Sequence, residues 1–405
     1  MTFPFDEEIL SLPFYEERHR TLAGEIAAWT AAHSGLWTDA EAEDEPEKTE
    51  LSIIRALGED GWFAFLNEGL NESPDKSVTP DFRSLCLRRE GLAYADDLAD
   101  YAFSIQALAA MPILRHASAE QRVRYLPGLA GGSQVAAFAL SEEQAGSDVA
   151  ALQLRAERAG DGYVLNGSKA WVANGGIADL YTVIARTGEG PGALGLTAFL
   201  VPATTPGLQV HDRIQTIAPR AFAHLTFEEC RLPADSVLGR PGHGFVVAVE
   251  VLDRFRMTVG AAALGFARRA MDAALGRAAQ RPIYDGRLID LPTVRATLAD
   301  MEVQLNAAAL LVARAAWELD EGRRRFARHS SIAKLYATEA AQDIVDAAVQ
   351  IHGAAGLVAD SPTGRLYRQI RSLRIYEGTS EIQRTVIAQS LDLTRADRRA
   401  PSASS

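Results

Sequence analysis

The sequence contains little of what marks several large protein classes. Among its 405 residues only Cys86 and Cys230 are cysteines, too few for a disulfide framework or a cysteine-rich metal cluster. Its eight histidines are scattered without the spacing of metal ligands, so we expect no metal site. The net charge is −12 and no run of lysine and arginine occurs, which argues against a nucleic-acid-binding surface.

Further absences concern the location of the protein and its mode of nucleotide binding. The first eight residues lack the basic and apolar regions of a signal peptide. The apolar stretch at residues 305–317 is interrupted by Arg314 and is too short to span a bilayer. We therefore expect no membrane span and a location in the reducing cytoplasm. No G-x-G-x-x-G motif follows a predicted strand, so a Rossmann unit is not expected.

Hydrophobic periodicity divides the chain into three domains and a tail. Residues 1–134 show helical spacing and predict an all-α N-terminal domain. Residues 135–240 contain short β-prone runs between glycine-containing turns, which predict a β-barrel or sandwich. Residues 241–395 return to long helical patterns and predict a four-helix bundle, and residues 396–405 predict a disordered tail. The expected fold class is therefore α+β.

The pattern also predicts individual elements. The β-prone runs occupy residues 135–140, 153–158, 163–166, 180–185, 196–201 and 223–227. The long bundle helices are predicted at residues 245–280, 291–319, 330–351 and 379–391. Two segments predict loops: the acidic run at residues 39–50, expected to be solvated, and the polar run with two prolines at residues 70–80.

The segment Ile-Tyr-Glu-Gly-Thr-Ser-Glu-Ile-Gln-Arg at residues 375–384 places a carboxylate between an aromatic residue and a glycine. Gly378 leaves the backbone free to approach a ligand closely, and Thr379 suits a helix N-cap. Because partial burial raises the pKa of a carboxyl, Glu377 is a candidate general base. On local pattern alone, a solvated or capping glutamate is the alternative.

Two segments of the middle domain suit a ligand with a planar ring and a phosphate. At residues 138–148, a strand ends in a small polar loop whose amides and hydroxyls could meet a phosphate or a flavin edge, although ordinary turns have the same composition. At residues 167–175, Trp171 offers stacking area to a planar ring. The alternative for Trp171 is a packed position in the barrel core.

These segments, together with the order of helices, β-barrel and helical bundle, resemble the acyl-CoA dehydrogenase family. Residues 375–384 are similar to its active-site segment, residues 138–148 to its Thr-Glu-Pro-Gly-Ala-Gly-Ser-Asp signature, and residues 167–175 to Gly-x-Lys-x-Trp-Ile-Thr-Asn-Gly. Three departures are visible. Ser141 replaces threonine and keeps the hydroxyl, Glu143 and Gln144 replace the rigid Pro-Gly, and Ala173 lacks the hydroxyl usually found near flavin N5.

The resemblance implies an FAD-dependent acyl-CoA dehydrogenase, an enzyme that desaturates an acyl thioester. Glu377 would remove the α-proton while flavin N5 accepts the β-hydride, and the Glu377 N–H and a flavin ribityl hydroxyl would polarise the thioester oxygen. Electrons would leave through an electron-transfer flavoprotein. Some family members carry the catalytic glutamate at the position of Phe255, which cannot accept a proton, so Glu377 remains the candidate base.

The resemblance also assigns binding residues, with no metal among the ligands. The FAD contacts within one subunit would be Phe138, Leu140, Ser141, Gly146, Ser147, Trp171 and Ala173. FAD of a neighbouring subunit would be met by Arg281, Gln350 and Gly353, and Thr379 and Glu381 would contact the cofactor too. The substrate contacts would be Ser147, Asp253, Arg256 and Gly378, although on pattern alone Asp253 and Arg256 form an exposed helical pair. The shared cofactor site predicts a homo-oligomer, with a tetramer expected.

Three other functions remain open. The unusual Glu143-Gln144 pair makes a dehydrogenase of carrier-protein-bound acyl groups in specialised metabolism an alternative. A flavin oxidase or monooxygenase on the same fold is a second, although Glu377 argues against the monooxygenase and the short chain against the long oxidases. A DNA-associated, non-enzymatic relative is the third, and the acidic balance argues against it. The sequence does not predict acyl chain length.

Overall fold

The N-terminal domain is helical, as predicted. A computed structural model of the protein describes residues 3–38, 45–71, 79–323 and 326–391. The helices of this domain are α1 (Glu7–Leu10), α2 (Glu17–Ala32), α3 (Gly35–Thr38), α4 (Pro46–Glu59), α5 (Glu68–Asn71), α6 (Phe82–Ala95), α7 (Asp97–His116) and α8 (Ala119–Ala130). The predicted loop at residues 39–44, most of the one at 70–80 and the predicted tail at 396–405 lie outside the described residues.

The prediction of a solvated acidic loop is wrong from Pro46 onward. Pro46 occupies the start of α4, where its missing N–H is not needed. Glu50 lies one turn later and is fully buried, with 0% of its surface exposed. Its spacing to Ile53, Ile54 and Leu57 places it on the apolar stripe of α4. The many acidic residues in this segment predicted a solvated loop, although the spacing of its apolar residues is that of an amphipathic helix.

The middle domain consists of one mixed sheet. Its strands are β1 (Ala136–Ala139), β2 (Arg155–Ala159), β3 (Gly162–Ala173), β4 (Leu180–Arg186), β5 (Leu196–Pro202), β6 (Leu208–Val210), β7 (Phe222–Leu232) and β8 (Val237–Leu238). The strand order is β6-β7-β3-β2-β4-β5-β8, and β1 pairs with β4 in parallel. The six predicted runs are all present, whereas β6 and β8, of three and two residues, are too short to leave a sequence signal.

The C-terminal domain is built on three long helices. They are α9 (Gly244–Gln280), α10 (Pro292–Asp320) and α11 (Phe326–His352), with a hairpin of β9 (Pro282–Ile283) and β10 (Gly286–Arg287) between the first two. Two shorter helices follow, α12 (Pro362–Gln369), which was not predicted, and α13 (Ser380–Gln389), which packs on α11. Helix α6 packs against α9 and α10, so the N-terminal domain adjoins the bundle directly.

Small residues set the register of the bundle. The Met257 N–H donates to the Ser330 hydroxyl at 3.0 Å, and a Cβ at Gly260 would lie 3.3 Å from the Ala333 carbonyl oxygen. From Met257 to Gly260 along α9, the contacted residue on α11 changes from Ser330 to Ala333. Residue numbers therefore increase in the same direction on both helices, so α9 and α11 run parallel. A Cβ at Gly265 would lie 2.2 Å from the Glu90 carbonyl oxygen, so only glycine permits the approach of α6.

Helix α10 is the one described helix that is long and apolar enough to cross a membrane. Its apolar stripe, which includes Leu298, Met301 and Leu305, is buried in the bundle against α9 and α11. The core helix of a soluble protein meets the same criteria of length and composition, so this feature is weak evidence for a membrane span.

Burial of Glu50 predicts a pH-dependent stability. Burial raises the pKa of Glu50 to about 8, against the opposing hydrogen bond from the Ala221 N–H, which is 3.2 Å long. Because the folded-state pKa lies above the unfolded value, the contribution of Glu50 is greatest below about pH 4.5 and is lost as the pH rises through about 8.

We therefore expect Glu50→Gln to raise the melting temperature at pH 8 and to flatten the decline in stability between pH 5 and pH 8. Each pKa unit corresponds to about 1.4 kcal/mol, and glutamine retains an acceptor for the Ala221 N–H. Glu47→Gln is the matched control on α4, because Glu47 forms a partly exposed ion pair with Arg213 at 3.0 Å. Equal pH slopes for both variants in thermal scans would contradict the assignment.

Candidate functional site

Glu377 lies in a left-handed turn just before α13. Its φ is +54° and that of Gly378 is +91°. A left-handed conformation costs a residue other than glycine about 1 kcal/mol or more, so the surrounding structure must hold Glu377 in place. A Cβ at Gly378 would lie 2.8 Å from the Gln383 amide nitrogen, and glycine is therefore needed next to the glutamate.

Buried hydrogen-bond donors contact the backbone carbonyls on one side of this turn. The Lys334 ammonium group on α11 donates to the carbonyl oxygens of Tyr376, at 2.6 Å, and of Gly378. The Gln383 amide donates to the carbonyl oxygens of Glu377 and Gly378 at 3.2 and 2.8 Å. Ser380 donates to Glu339, which ties the start of α13 to α11. Three successive carbonyls are thus satisfied on one side of the turn.

The other side of the turn presents groups without partners. The Glu377 backbone N–H donates to no acceptor in the part of the chain that the structure describes. The Glu377 Oε2 is buried and accepts no hydrogen bond there either. Burial raises the pKa of Glu377, and the charges of Arg89, Lys334 and Arg256 oppose that rise. A buried carboxyl with a raised pKa and an unused lone pair can serve as a general base.

Charged residues surround Glu377 in pairs. Arg89 donates two hydrogen bonds of 2.8 Å to Asp100 and a third, of 3.0 Å, to the Thr258 hydroxyl. Arg256 pairs with Asp253, and only 6% of its surface is exposed. The interpretation of Asp253 and Arg256 as an exposed pair is therefore wrong, because packing of α9 against α11 buries this face.

Phe255 cannot replace Glu377 as the base. It is 1% exposed, and its ring packs edge-on against Phe82 with the ring centroids 5.9 Å apart. The side chain belongs to the core between α6 and α9. Since neither Phe255 nor its aromatic neighbour can take a proton, the position offers packing alone.

The loop after β1 keeps a tight turn without the Pro-Gly dipeptide. The Glu142 N–H donates to the Ala145 carbonyl at 2.8 Å, and the Ala145 N–H donates back at 3.1 Å. Glu143 and Gln144 form the exposed tip, so the extra charge points away from the protein. Gly146 and Ser147 follow and are exposed as well, which leaves their backbone and hydroxyl groups accessible to a ligand.

A buried ion pair anchors this loop. The Lys169 ammonium group on β3 donates to Glu142 and to the Leu140 carbonyl, both at 2.8 Å. Glu142 also accepts from the backbone N–H groups of Gln153 and Leu154 at 2.7 and 2.9 Å. Burial lowers the pKa of Lys169 to about 8, while Glu142 opposes that shift. The loop that follows Phe138 and Leu140 is thereby fixed to the sheet.

Trp171 lies on the outside of the sheet. The β3–β7 pairing is irregular between Lys169 and Val172, and Trp171 there has a φ of +59°. Such a bulge turns a side chain out of the regular alternation. Trp171 is 50% exposed, with its ring 6.4 Å from Phe222 and 4.7 Å from His224. The barrel-core alternative for Trp171 is therefore wrong, and the three rings form an accessible aromatic shelf.

Arg220 lies near both the shelf and the residue before Glu377. Ala173 pairs with Phe222, and two residues earlier Arg220 is paired with Asp97 at 2.6 Å. Arg220 and Arg89 both act on the phenol of Tyr376, whose pKa is raised chiefly by burial. Arg220 therefore relates Phe222, on the strand beside Trp171 and Ala173, to Tyr376, the residue before Glu377.

The second predicted cofactor group lies elsewhere. Arg281 is at the exposed end of α9, and Gln350 and Gly353 are at the exposed end of α11. Since α9 and α11 are parallel, these ends lie at the same end of the bundle. Lys334, which contacts the Glu377 turn, precedes Gln350 by 16 residues on α11, or roughly 24 Å. Thr379 and Glu381 instead adjoin Glu377, at the N-terminal cap and first turn of α13.

The residues of this site that the sequence analysis did not predict include Lys169, Lys334 and Gln383. Each is a polar residue at a position where the periodicity of its strand or helix calls for an apolar one. Lys334, for example, lies between Ser330 and Thr338 on the buried face of α11. A polar or charged residue on a buried stripe must find a hydrogen-bond partner, and that signal could have identified all three.

Comparison with known proteins identifies the family of the chain. Residues 16–133, 137–230 and 242–391 match the family models for the N-terminal, middle and C-terminal domains of acyl-CoA dehydrogenase. The mouse (Mus musculus) short-chain specific acyl-CoA dehydrogenase, mitochondrial, is 42% identical over 279 residues, which is 68% of each chain.

Two solved structures are similar over nearly their whole length. Butyryl-CoA dehydrogenase from Megasphaera elsdenii is 31% identical, with a TM-score of 0.84 over 92% of this chain and 98% of that one. A chain in the structural study of the electron transferring flavoprotein of Acidaminococcus fermentans is also 31% identical, with a TM-score of 0.82 over 92% and 97%. This chain therefore belongs to the acyl-CoA dehydrogenase family, flavin-dependent oxidoreductases that act on CH–CH bonds.

Proposed function

We propose that this protein desaturates an acyl thioester, most simply an acyl-CoA, between its α and β carbons. The observation that carries the proposal is the Glu377 carboxyl, whose buried Oε2 accepts no hydrogen bond from the described residues, in a turn whose own N–H donates to none of them either. A base and an oxyanion donor on one residue suit removal of a proton next to a thioester carbonyl. FAD, when bound, supplies the hydride acceptor for the β-carbon.

The residues present fit a flavin. Trp171, Phe222 and His224 form a half-exposed aromatic shelf, which is costly to leave in water and suits a planar ring system. The exposed loop at Gly146 and Ser147 offers amides and a hydroxyl to a phosphate. Phe138 in β1, Leu140 and Ser141 in the loop that follows it, and Ala173 at the end of β3 would hold the ring edge.

The chain's own residues supply the proton chemistry. Glu377 accepts the α-proton, and burial keeps water from competing for the carboxylate. The Glu377 N–H donates to the thioester oxygen and stabilises the charge that develops there. Gly378 lets the substrate approach the backbone, and Asp253, Arg256 and Ser147 orient its polar part. Arg89 and Asp100 form a buried ion pair whose charges both act on Glu377.

The similar proteins support a substrate class and an electron acceptor for this protein. Butyryl-CoA dehydrogenase among the structural relatives favours a short acyl-CoA substrate, although carrier-bound acyl groups remain a test case. The similarity to a chain studied with an electron transferring flavoprotein supports such a protein as electron acceptor. Cys86 and Cys230 are buried and unpaired, which fits the proposed cytoplasmic location.

We also propose a homo-oligomer in which Arg281, Gln350 and Gly353 serve the FAD of a neighbouring subunit. These residues lie too far along the bundle from Lys334 to contact a flavin ring beside Glu377. Large apolar side chains near the same end are exposed, with Tyr284 at 89% and Leu357 at 78%. Exposed apolar side chains of this size suit an interface between subunits.

The first prediction concerns cofactor binding. We expect the purified protein to be yellow with one FAD per subunit, and Lys169→Met to weaken FAD binding by about tenfold or more. Removing the lysine leaves Glu142 buried without its cation, and breaking a buried pair costs about 3–5 kcal/mol. Flavin absorbance and fluorescence titration measure the effect. Lys48→Met, at an exposed lysine that pairs with Glu45, is the control.

The second prediction concerns the base. Glu377→Gln should fold and bind FAD, while substrate-driven bleaching of the flavin slows by about three orders of magnitude, or about 4 kcal/mol. Stopped-flow absorbance with a panel of acyl-CoA and acyl-carrier substrates measures it, with Glu302→Gln on the exposed face of α10 as the control. Bleaching at the wild-type rate would place the base elsewhere.

The third prediction concerns assembly. Light scattering should give a mass at least twice the 43.7 kDa of one chain, with a tetramer expected. Arg281→Ala should weaken FAD binding without unfolding the protein, because its guanidinium is exposed and suited to a phosphate. Arg287→Ala, on the same hairpin, should have a smaller effect. A monomer that binds FAD tightly would refute the shared site.

A further inference from the structure

A lysine is buried directly behind the proposed base. Lys334 is 1% exposed on α11, and its ammonium group donates to the carbonyl oxygens of the residues on either side of Glu377, Tyr376 and Gly378. Burying an ammonium group is costly unless it is paired and hydrogen-bonded. Since an alanine or leucine would satisfy the packing of this helix face at no such cost, the charge itself requires an explanation.

We propose that Lys334 is a positioning residue for proton abstraction: it locks the left-handed turn and supplies the positive charge that keeps the buried Glu377 carboxylate ionised. This inference rests on the proposed function, because it assigns Lys334 a role through the Glu377 base. Lys334 does not contact the substrate itself, since its hydrogen bonds are directed to the back of the turn.

The geometric part of the role follows from the hydrogen bonds. Lys334 holds the carbonyls of Tyr376 and Gly378, and Gln383 holds those of Glu377 and Gly378. With three successive carbonyls directed to these donors, the Glu377 N–H must point to the opposite side. The left-handed backbone of Glu377 is thereby maintained against its intrinsic cost, and its N–H remains available to a thioester oxygen.

Lys334 and Gln383 share this task but differ in charge. Both side chains are 1% exposed, and both donate to the Gly378 carbonyl. Lys334 carries a full charge and Gln383 carries none. The chain therefore offers a matched pair of residues that separates the holding of the turn from the effect of charge.

The charged groups around Lys334 and Glu377 belong to five structural elements. Lys334 faces Glu377 on the turn, Arg256 on α9 and Glu339 on α11. Glu377 faces Lys334, Arg256, Arg89 on α6 and Asp100 on α7. Arg89 is matched by Asp100 and Arg256 by Asp253, through direct ion pairs. Glu339 accepts from Ser380 and pairs with Arg374 at 2.7 Å. Lys334 lies against the Glu377 turn and forms no ion pair with a carboxylate among the residues that the structure describes.

The titration of both groups agrees with this assignment. Burial raises the pKa of Glu377 and lowers that of Lys334 to about 7, and each charge opposes the shift of the other. The ionised carboxylate and the ammonium group therefore stabilise each other in a site that disfavours either one alone. Without Lys334, the carboxylate would bind a proton at a higher pH and would be inactive as a base over a wider range.

The decisive measurement is the pH profile of kcat/KM for Lys334→Gln, whose amide keeps a donor for the carbonyls but lacks the charge. The acidic limb, which reports the ionisation of the base in the free enzyme, should move to higher pH by about one unit or more. Lys334→Arg keeps the charge and should leave the limb at the wild-type position. In both variants kcat should fall more than KM rises, because Lys334 does not bind the substrate.

Gln383→Met is the matched control for geometry. It removes neutral donors from the same turn, so it should slow bleaching of the flavin without moving the acidic limb. An unshifted limb in Lys334→Gln, or an equal shift in Gln383→Met, would overturn the role of charge. Lys334→Met replaces Lys334→Gln if the latter does not fold as a flavoprotein, with the same shift expected and the same contradiction if it is absent.

The outcomes distinguish this inference from the proposed function. If Glu377→Gln bleaches the flavin at the wild-type rate, the proposed base is wrong. If Glu377→Gln abolishes bleaching while Lys334→Gln keeps the wild-type pH profile, the base stands and the role of Lys334 is wrong.

Discussion

The structure depends on holding the Glu377 carboxylate in a buried position where it can still accept a proton. The Oε2 of Glu377 is buried and accepts no hydrogen bond from any described residue, and Glu377 occupies a left-handed conformation that its side chain disfavours. Such a residue persists only when its surroundings over-determine it. Helix α11 provides that constraint through Lys334 and Glu339, and α13 provides it through Gln383. The parallel packing of α9 and α11 around small residues brings Arg256 to the same place.

Buried ion pairs perform the same task in each domain. Lys169 and Glu142 fix the loop that follows β1, and Arg89 and Asp100 join α6 to α7 beside the active site. A pair of this kind contributes little net stability over apolar packing, but loss of one partner leaves an uncompensated charge. These pairs therefore specify positions within the site, and the apolar core of the sheet and bundle supplies the stability.

Much of the fold and part of the site could be predicted from the sequence. The long helices have 3.6-residue periodicity over several turns, so their limits agree with the structure to within a few residues. The segments at residues 138–148, 167–175 and 375–384 carry distinctive local chemistry, which the sequence alone reveals. Glu50 and Arg256 were misjudged because local polarity does not reveal which face a neighbouring helix will cover.

The sequence by itself determined the order of the domains, the family resemblance and the candidate base, because each depends on residues that are close along the chain. Only the tertiary structure decided that Trp171 faces outward on a bulge, that Lys334 lies behind Glu377, and that Arg281 and Gln350 lie at the far end of the bundle. These are relations between residues tens to hundreds of positions apart. Packing and the burial of charge determine these relative positions, and the local sequence pattern does not predict them.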